Sequence, residues 1–119
     1  NTSYEESKYG VAPEEAISLI KETSRYDTLK IRGLMTIGLF TNDEVKIRKC
    51  FKLLKGIHDS VIKEGIDSVE MKYLSMGMSG DYHIAIEEGA NMVRVGTAIF
   101  GARDTPDAYY WPSEKVDKG

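Results

Sequence analysis

Apolar positions along this chain switch between helical and extended spacing. Ala16, Leu19, Ile20 and Thr23 recur at i, i+3, i+4 and i+7, so one stripe can face a core while Lys21 and Glu22 face water. Pro13 stands where a first helical turn would place it, and Glu14 and Glu15 follow at the positive end of the helix dipole. Together they predict a helix over 13–25. Residues 29–39 hold Ile31, Leu34, Met35 and Ile37 without helical spacing, with Gly33 and Gly38 among them, and read as a buried strand. From Asn42 or Asp43, either a suitable N-cap, the apolar positions Ile47, Phe51, Leu54, His58 and Val61 keep a helical period until Gly65. Residues 71–76 form the next strand candidate, and residues 82–88 a short helix closed by Gly89. Residues 92–95 read as another buried strand, and 98–100 can make one helical turn before Gly101.

Helix and strand therefore alternate three times, the order expected of a parallel α/β architecture. Three strands cannot close a barrel. An eight-stranded (β/α)8 barrel takes about 250 residues, so barrel sequence of this length supplies only the last few units. The chain opens at Asn1 rather than Met and runs directly into patterned sequence, which reads as a piece of a longer chain. From Ala102 onward, Pro106, Tyr109, Tyr110, Trp111 and Pro112 follow no period.

Composition narrows the class of partner. With 41% hydrophobic residues among 119, the chain can build a core. Sixteen Lys and Arg against nineteen Asp and Glu give a net charge of −3, without the basic excess that a nucleic-acid backbone calls for. No apolar run approaches the roughly 20 residues that span a bilayer, so no membrane partner is expected. Cys50 is the only cysteine, which argues against a disulfide-stapled fold and fits the reducing cytoplasm.

The densest chemical signal lies between Leu74 and Gly101, where two neighbouring strand ends each deliver a small, glycine-rich turn. Barrels commonly bind phosphate at the loops after their last two strands, through backbone N–H groups and the start of a short extra helix. Gly77 to Ser79 and Gly96 to Thr97 are placed for that, because glycine admits close approach and the hydroxyls of Ser79 and Thr97 can donate to phosphate oxygens. On spacing alone another reading is equally open: Gly77 and Gly96 only turn the chain, and Ser79 and Asp81 cap a helix.

Arg94 sits among Met92, Val93 and Val95, where period two turns it to the face opposite Val93 and Val95. A guanidinium on an inner face needs a partner. One solution is an ion pair with an interior carboxylate. The other is a hydrogen bond to the pyridine nitrogen of a cofactor whose phosphate lies at the neighbouring turns. His58 and His83 have no Cys or His at ligand spacing, so no metal site is expected, and Cys50 reads as packing.

Residues 74–103 resemble the signature of the pyridoxal phosphate homeostasis protein family (YggS/PROSC). So do Asn1-Thr2-Ser3, Glu6, Ser7-Lys8, Gly10 and Arg32-Gly33-Leu34-Met35-Thr36-Ile37. The resemblance covers residues 1–104, expected as the carboxy-terminal half of the barrel, and leaves 105–119 as a tail. It implies a fold-type III barrel like the amino-terminal domain of alanine racemase, with pyridoxal 5'-phosphate at the carboxyl ends of the strands. Ser79, Gly96 and Thr97 match positions that hold the phosphate, Arg94 matches the arginine facing the pyridine nitrogen, and Met76 and Gly77 line the same mouth. The family's Schiff-base lysine lies on the first barrel strand. Lys8, Lys30 and Lys72 do not match that motif, so this chain alone is expected to hold cofactor weakly.

Three functional classes follow. The resemblance favours a cofactor-binding protein that buffers or delivers pyridoxal phosphate without turnover. An amino-acid racemase would need the lysine and a second acid/base group, which racemases of this fold take from a carboxy-terminal β domain; only 18 residues follow Gly101 here. The third class is a half barrel without ligand, its open sheet edges covered by self-association or by the missing amino-terminal half.

Overall fold

The computed structural model describes residues 1–102, and the tail at 105–119 lies outside them. A 3-10 turn at Pro13–Glu15 leads into α1, Ala16–Thr23, so the helix predicted from Pro13 begins as a tighter turn and closes on Ser24. Strand β1, Ile31–Met35, is shorter than the extended stretch predicted at 29–39. It ends where the Thr36 N–H donates to the Ser75 carbonyl at 3.1 Å and the chain turns away. Helix α2, Glu44–Glu64, is bounded as predicted. The Asp43 carboxylate accepts from the N–H groups of Val45 and Lys46, and Gly65 ends the helix in the left-handed region at φ 57°.

Strand β2, Val69–Ser75, lies parallel to β1, with Ile31 opposite Val69 and Met35 opposite Ser75. The register is irregular between Ile31 and Gly33, and a Cβ on Gly33 would stand 2.2 Å from the Tyr73 carbonyl oxygen. Only glycine lets the two backbones pass this closely. Helices α3, Tyr82–Glu87, and α4, Thr97–Phe100, complete the described elements.

The third strand expected at 92–95 is reduced to a single parallel bridge between Ser75 and Met92. The cause is local. Asn91 uses its side-chain amide where a backbone rung would stand, accepting from Leu74 N at 2.8 Å and donating to Lys72 O at 2.7 Å. Backbone contact runs beside it, from Asn91 N to Leu74 O, from Met76 N to Met92 O and from Arg94 N to Gly77 O. Nor is this segment buried as expected: Met92 is 43% exposed and its three successors are half-buried.

The core lies between α2 and the sheet. Ile47, Phe51 and Leu54 pack with Leu74, Met76, Ile84 and Ala85, and Phe51, Met76 and Ala85 are fully buried. Burying large apolar side chains such as these supplies most of the driving force for the layer. Arg48 fastens α3 to α2 from outside, pairing with Glu44, Glu87 and Glu88 at 2.7–2.9 Å. Those three carboxylates, Glu88 foremost, raise the guanidinium further above its already high ordinary pKa. The other sheet face stays open among the described residues, with Met35 58% exposed.

Candidate functional site

The two glycine-rich turns meet. The Ser79 hydroxyl accepts from the backbone N–H groups of Gly96 and Ala98, each at 3.1 Å, so the turn after β2 touches the first turn of α4. Two backbone donors thus converge on one oxygen position. The turn around Ser79 is itself held by Asp81, whose carboxylate accepts from Met78 N at 2.7 Å. Asp81 therefore shapes the loop rather than bonding an N–H of the helix it precedes.

A cavity of about 710 Å³ opens at this point, lined by Ser79, Gly80, Gly96 and Thr97 on one side and by Gly38, Leu39, Phe40 and Asn42 on the other. Its apolar wall belongs to the loop between β1 and α2. Lys8 closes one end. Its ammonium donates to the Gly38 carbonyl at 2.6 Å and pairs with Glu5 at 2.5 Å. The Glu5 carboxyl is held below the ordinary glutamate range, first by Lys8 and then by Ser3. Sequence reasoning gave Lys8 no place at the cavity. The Ser7-Lys8-Gly10 signature was visible, but which loop the ammonium reaches is a tertiary fact.

Arg94 leaves the cradle and crosses β2. Its Nη2 donates to the Thr36 carbonyl at 2.8 Å, while Nε is buried with no hydrogen-bond partner among the described residues. The interior carboxylate weighed as its partner is absent from these contacts; a backbone carbonyl takes that place. An orphaned buried donor of a permanent cation is costly, and it suits a ligand carrying an acceptor.

Of the six predicted site residues, Ser79, Gly96 and Thr97 gather at the cavity, and Arg94 stands apart from it with its buried Nε unpaired among the described residues. Met76, expected at the mouth, turns instead into the core, because period two puts it with Leu74 on the side of α2. Gly77 also serves packing. A Cβ there would lie 2.7 Å from the Ala85 Cβ, and its φ of 101° favours glycine. His58 is structural, with its ring nitrogens at Met71 O and the Asp59 carboxylate. No helix among the described residues is long and apolar enough to cross a membrane.

A parallel α/β layer with backbone donors gathered at the carboxyl ends of its strands defines the class of TIM-barrel-like α/β folds. The comparisons agree. The chain belongs to the family described as alanine racemase, N-terminal domain, which it matches over residues 1–104. It is 46% identical over 103 residues to a pyridoxal phosphate homeostasis protein of Helicobacter pylori J99, covering 84% of this chain and 42% of the relative. A crystal structure of a Bifidobacterium adolescentis protein, described as unknown, superimposes with a TM-score of 0.80 at 44% identity, over 84% of this chain and 40% of that one. PipY of Synechococcus elongatus PCC7942, solved with PLP bound, gives a TM-score of 0.70 at 29% identity, over 79% and 44%. The chain thus spans less than half the length of these proteins.

Proposed function

We propose that this chain supplies the phosphate and ring-nitrogen contacts of a pyridoxal 5'-phosphate-binding barrel that holds the cofactor reversibly and buffers or delivers it. The observation that carries this reading is the convergence of the Gly96 and Ala98 N–H groups on one oxygen position, in the segment that also carries an arginine with an unpaired buried donor. The PLP-bound PipY structure and the name of the Helicobacter relative support the choice of ligand. Ser79, Gly96 and Thr97 would receive the phosphate, and Arg94 the pyridine nitrogen. Because an arginine keeps its proton at ordinary pH, it would hold that nitrogen unprotonated. When bound, the cofactor supplies an aldehyde able to condense with a lysine amine.

As part of the same proposal, the chain is the carboxy-terminal part of the barrel and sits in the cytoplasm, with Cys50 buried and unpaired. The remainder of the barrel would cover the open face bearing Met35 and Met92 and would carry the lysine. Titration of the full chain with pyridoxal phosphate, pyridoxal and inorganic phosphate, followed through backbone amide NMR signals, tests the reading. The signals of Gly96, Thr97 and Ala98 are expected to move with the two phosphorylated ligands and not with pyridoxal. Arg94→Glu should weaken pyridoxal phosphate and leave inorganic phosphate unchanged. Stationary amides at millimolar ligand would overturn it.

A further inference from the structure

Two buried threonines distant in sequence meet in the fold. Thr2 is 5% and Thr36 3% exposed, and their hydroxyl oxygens lie 2.8 Å apart. Thr36 is also held through its backbone, since its N–H donates to Ser75 O at 3.1 Å and its carbonyl accepts from Arg94 Nη2 at 2.8 Å. The opening segment of the chain, through Thr2, therefore steadies the residue that steadies Arg94.

A guanidinium is planar, with its donors in a fixed fork. A tether at Nη2 consequently restricts the plane of the group and with it the direction of the Nε–H bond. That Nε is the buried atom left without a partner among the described residues. We infer that Thr2 and Thr36 are positioning residues, which orient Arg94 so that its Nε–H is presented to an uncharged, lone-pair-bearing ring nitrogen of the ligand. The inference rests on the proposed pyridoxal phosphate reading and adds to it the residues that aim the guanidinium. A ring nitrogen that carries hydrogen would set donor against donor and be disfavoured. The Ser79–Gly96 contact belongs to other segments, so disturbing the threonine pair spares the phosphate contacts.

The test compares the full chain with Thr2→Val, Thr36→Val and Thr2→Ser. Valine keeps the shape of threonine without its hydroxyl, and serine keeps the hydroxyl. In the ligand-free protein, the NMR signal of the Arg94 Nε–H is expected to exchange with water about tenfold faster in either valine variant and to return to the original rate in Thr2→Ser. Affinity for pyridoxal phosphate should fall about three- to tenfold in the valine variants, the worth of roughly one hydrogen bond. Affinity for inorganic phosphate should not change. Unaltered Nε–H exchange in both valine variants overturns the inference whatever the ligands do. Equal losses for both ligands overturn it too, since they report a merely structural role. A parent chain that takes up neither ligand removes the proposed function instead, and the ligand-free exchange rates then decide the positioning alone.

Discussion

The Ser79 hydroxyl stands 3.1 Å from the backbone nitrogen of Gly96, and through this bond the turn after β2 is tied to the turn that opens α4. The hydroxyl occupies the point on which the Gly96 and Ala98 donors converge, and it can also donate to a ligand oxygen. Ser79→Ala is expected to weaken binding of both inorganic phosphate and pyridoxal phosphate by about 1 kcal/mol, roughly fivefold. Isothermal titration of the two ligands checks this. Tighter binding in the variant would mean that the hydroxyl competes with the ligand for the same two N–H groups.

Two glycines set opposite expectations for stability. An alanine Cβ at Gly33 would meet the Tyr73 carbonyl oxygen at 2.2 Å, and backbone of the paired strand cannot move aside without breaking the ladder. Gly33→Ala should cost about 3 kcal/mol or prevent folding, in the range of overpacked interiors. Gly56 lies within α2 with nothing within 4 Å of its Cβ position. Gly56→Ala should raise stability by about 0.5–1 kcal/mol, because alanine loses less conformational freedom in a helix. Urea denaturation of both variants measures the pair, and a stabilising Gly33→Ala would contradict the described register.

Local signals carried much of this fold into the sequence. Asp43 and Gly65 mark α2 because capping and left-handed termination are properties of single residues beside a periodic run. The parallel alternation was legible for the same reason. The third strand was misread because an apolar run does not reveal that the Asn91 amide takes the Leu74 N–H and only one parallel bridge forms beyond it. Met76 shows a second limit. Its place beside Gly77 suggested the mouth, but the phase of the strand relative to α2 sends its side chain into the core. At the site, the two turns were readable from small residues at strand ends, whereas the contact of Lys8 with Gly38 and the Thr2–Thr36–Arg94 chain join segments that no spacing connects.

Helix α2 forms the largest element over the core, so its first turn is a sensitive point. The Asp43 carboxylate accepts from Val45 N at 3.1 Å and Lys46 N at 3.4 Å, satisfying donors that have no partner inside the helix. Asp43→Ala should lower stability by about 1 kcal/mol, while Asp43→Ser should retain most of it. Thermal unfolding followed by circular dichroism compares the three chains. Equal midpoints would show that the longer Lys46 contact and its neighbour contribute nothing.

Acid should loosen the opening segment through Glu5. Lys8, and after it Ser3, hold the Glu5 carboxyl below the ordinary glutamate value in the folded chain. The unfolded chain therefore binds this proton more readily, so the stabilisation is complete above the unfolded glutamate pKa and is lost as pH falls through the folded value. Asp59 is held low in the same way, by Lys55 first and then His58, and adds to acid sensitivity in the same direction. Glu5→Gln removes the first contribution and leaves the second. Unfolding midpoints measured from neutrality down to about pH 3 should show the parent chain more stable than the variant at neutral pH, with the two converging in acid. Because Asp59 titrates in both chains, it cannot produce convergence; parallel curves would mean that the Glu5–Lys8 pair does not anchor the segment that carries Thr2.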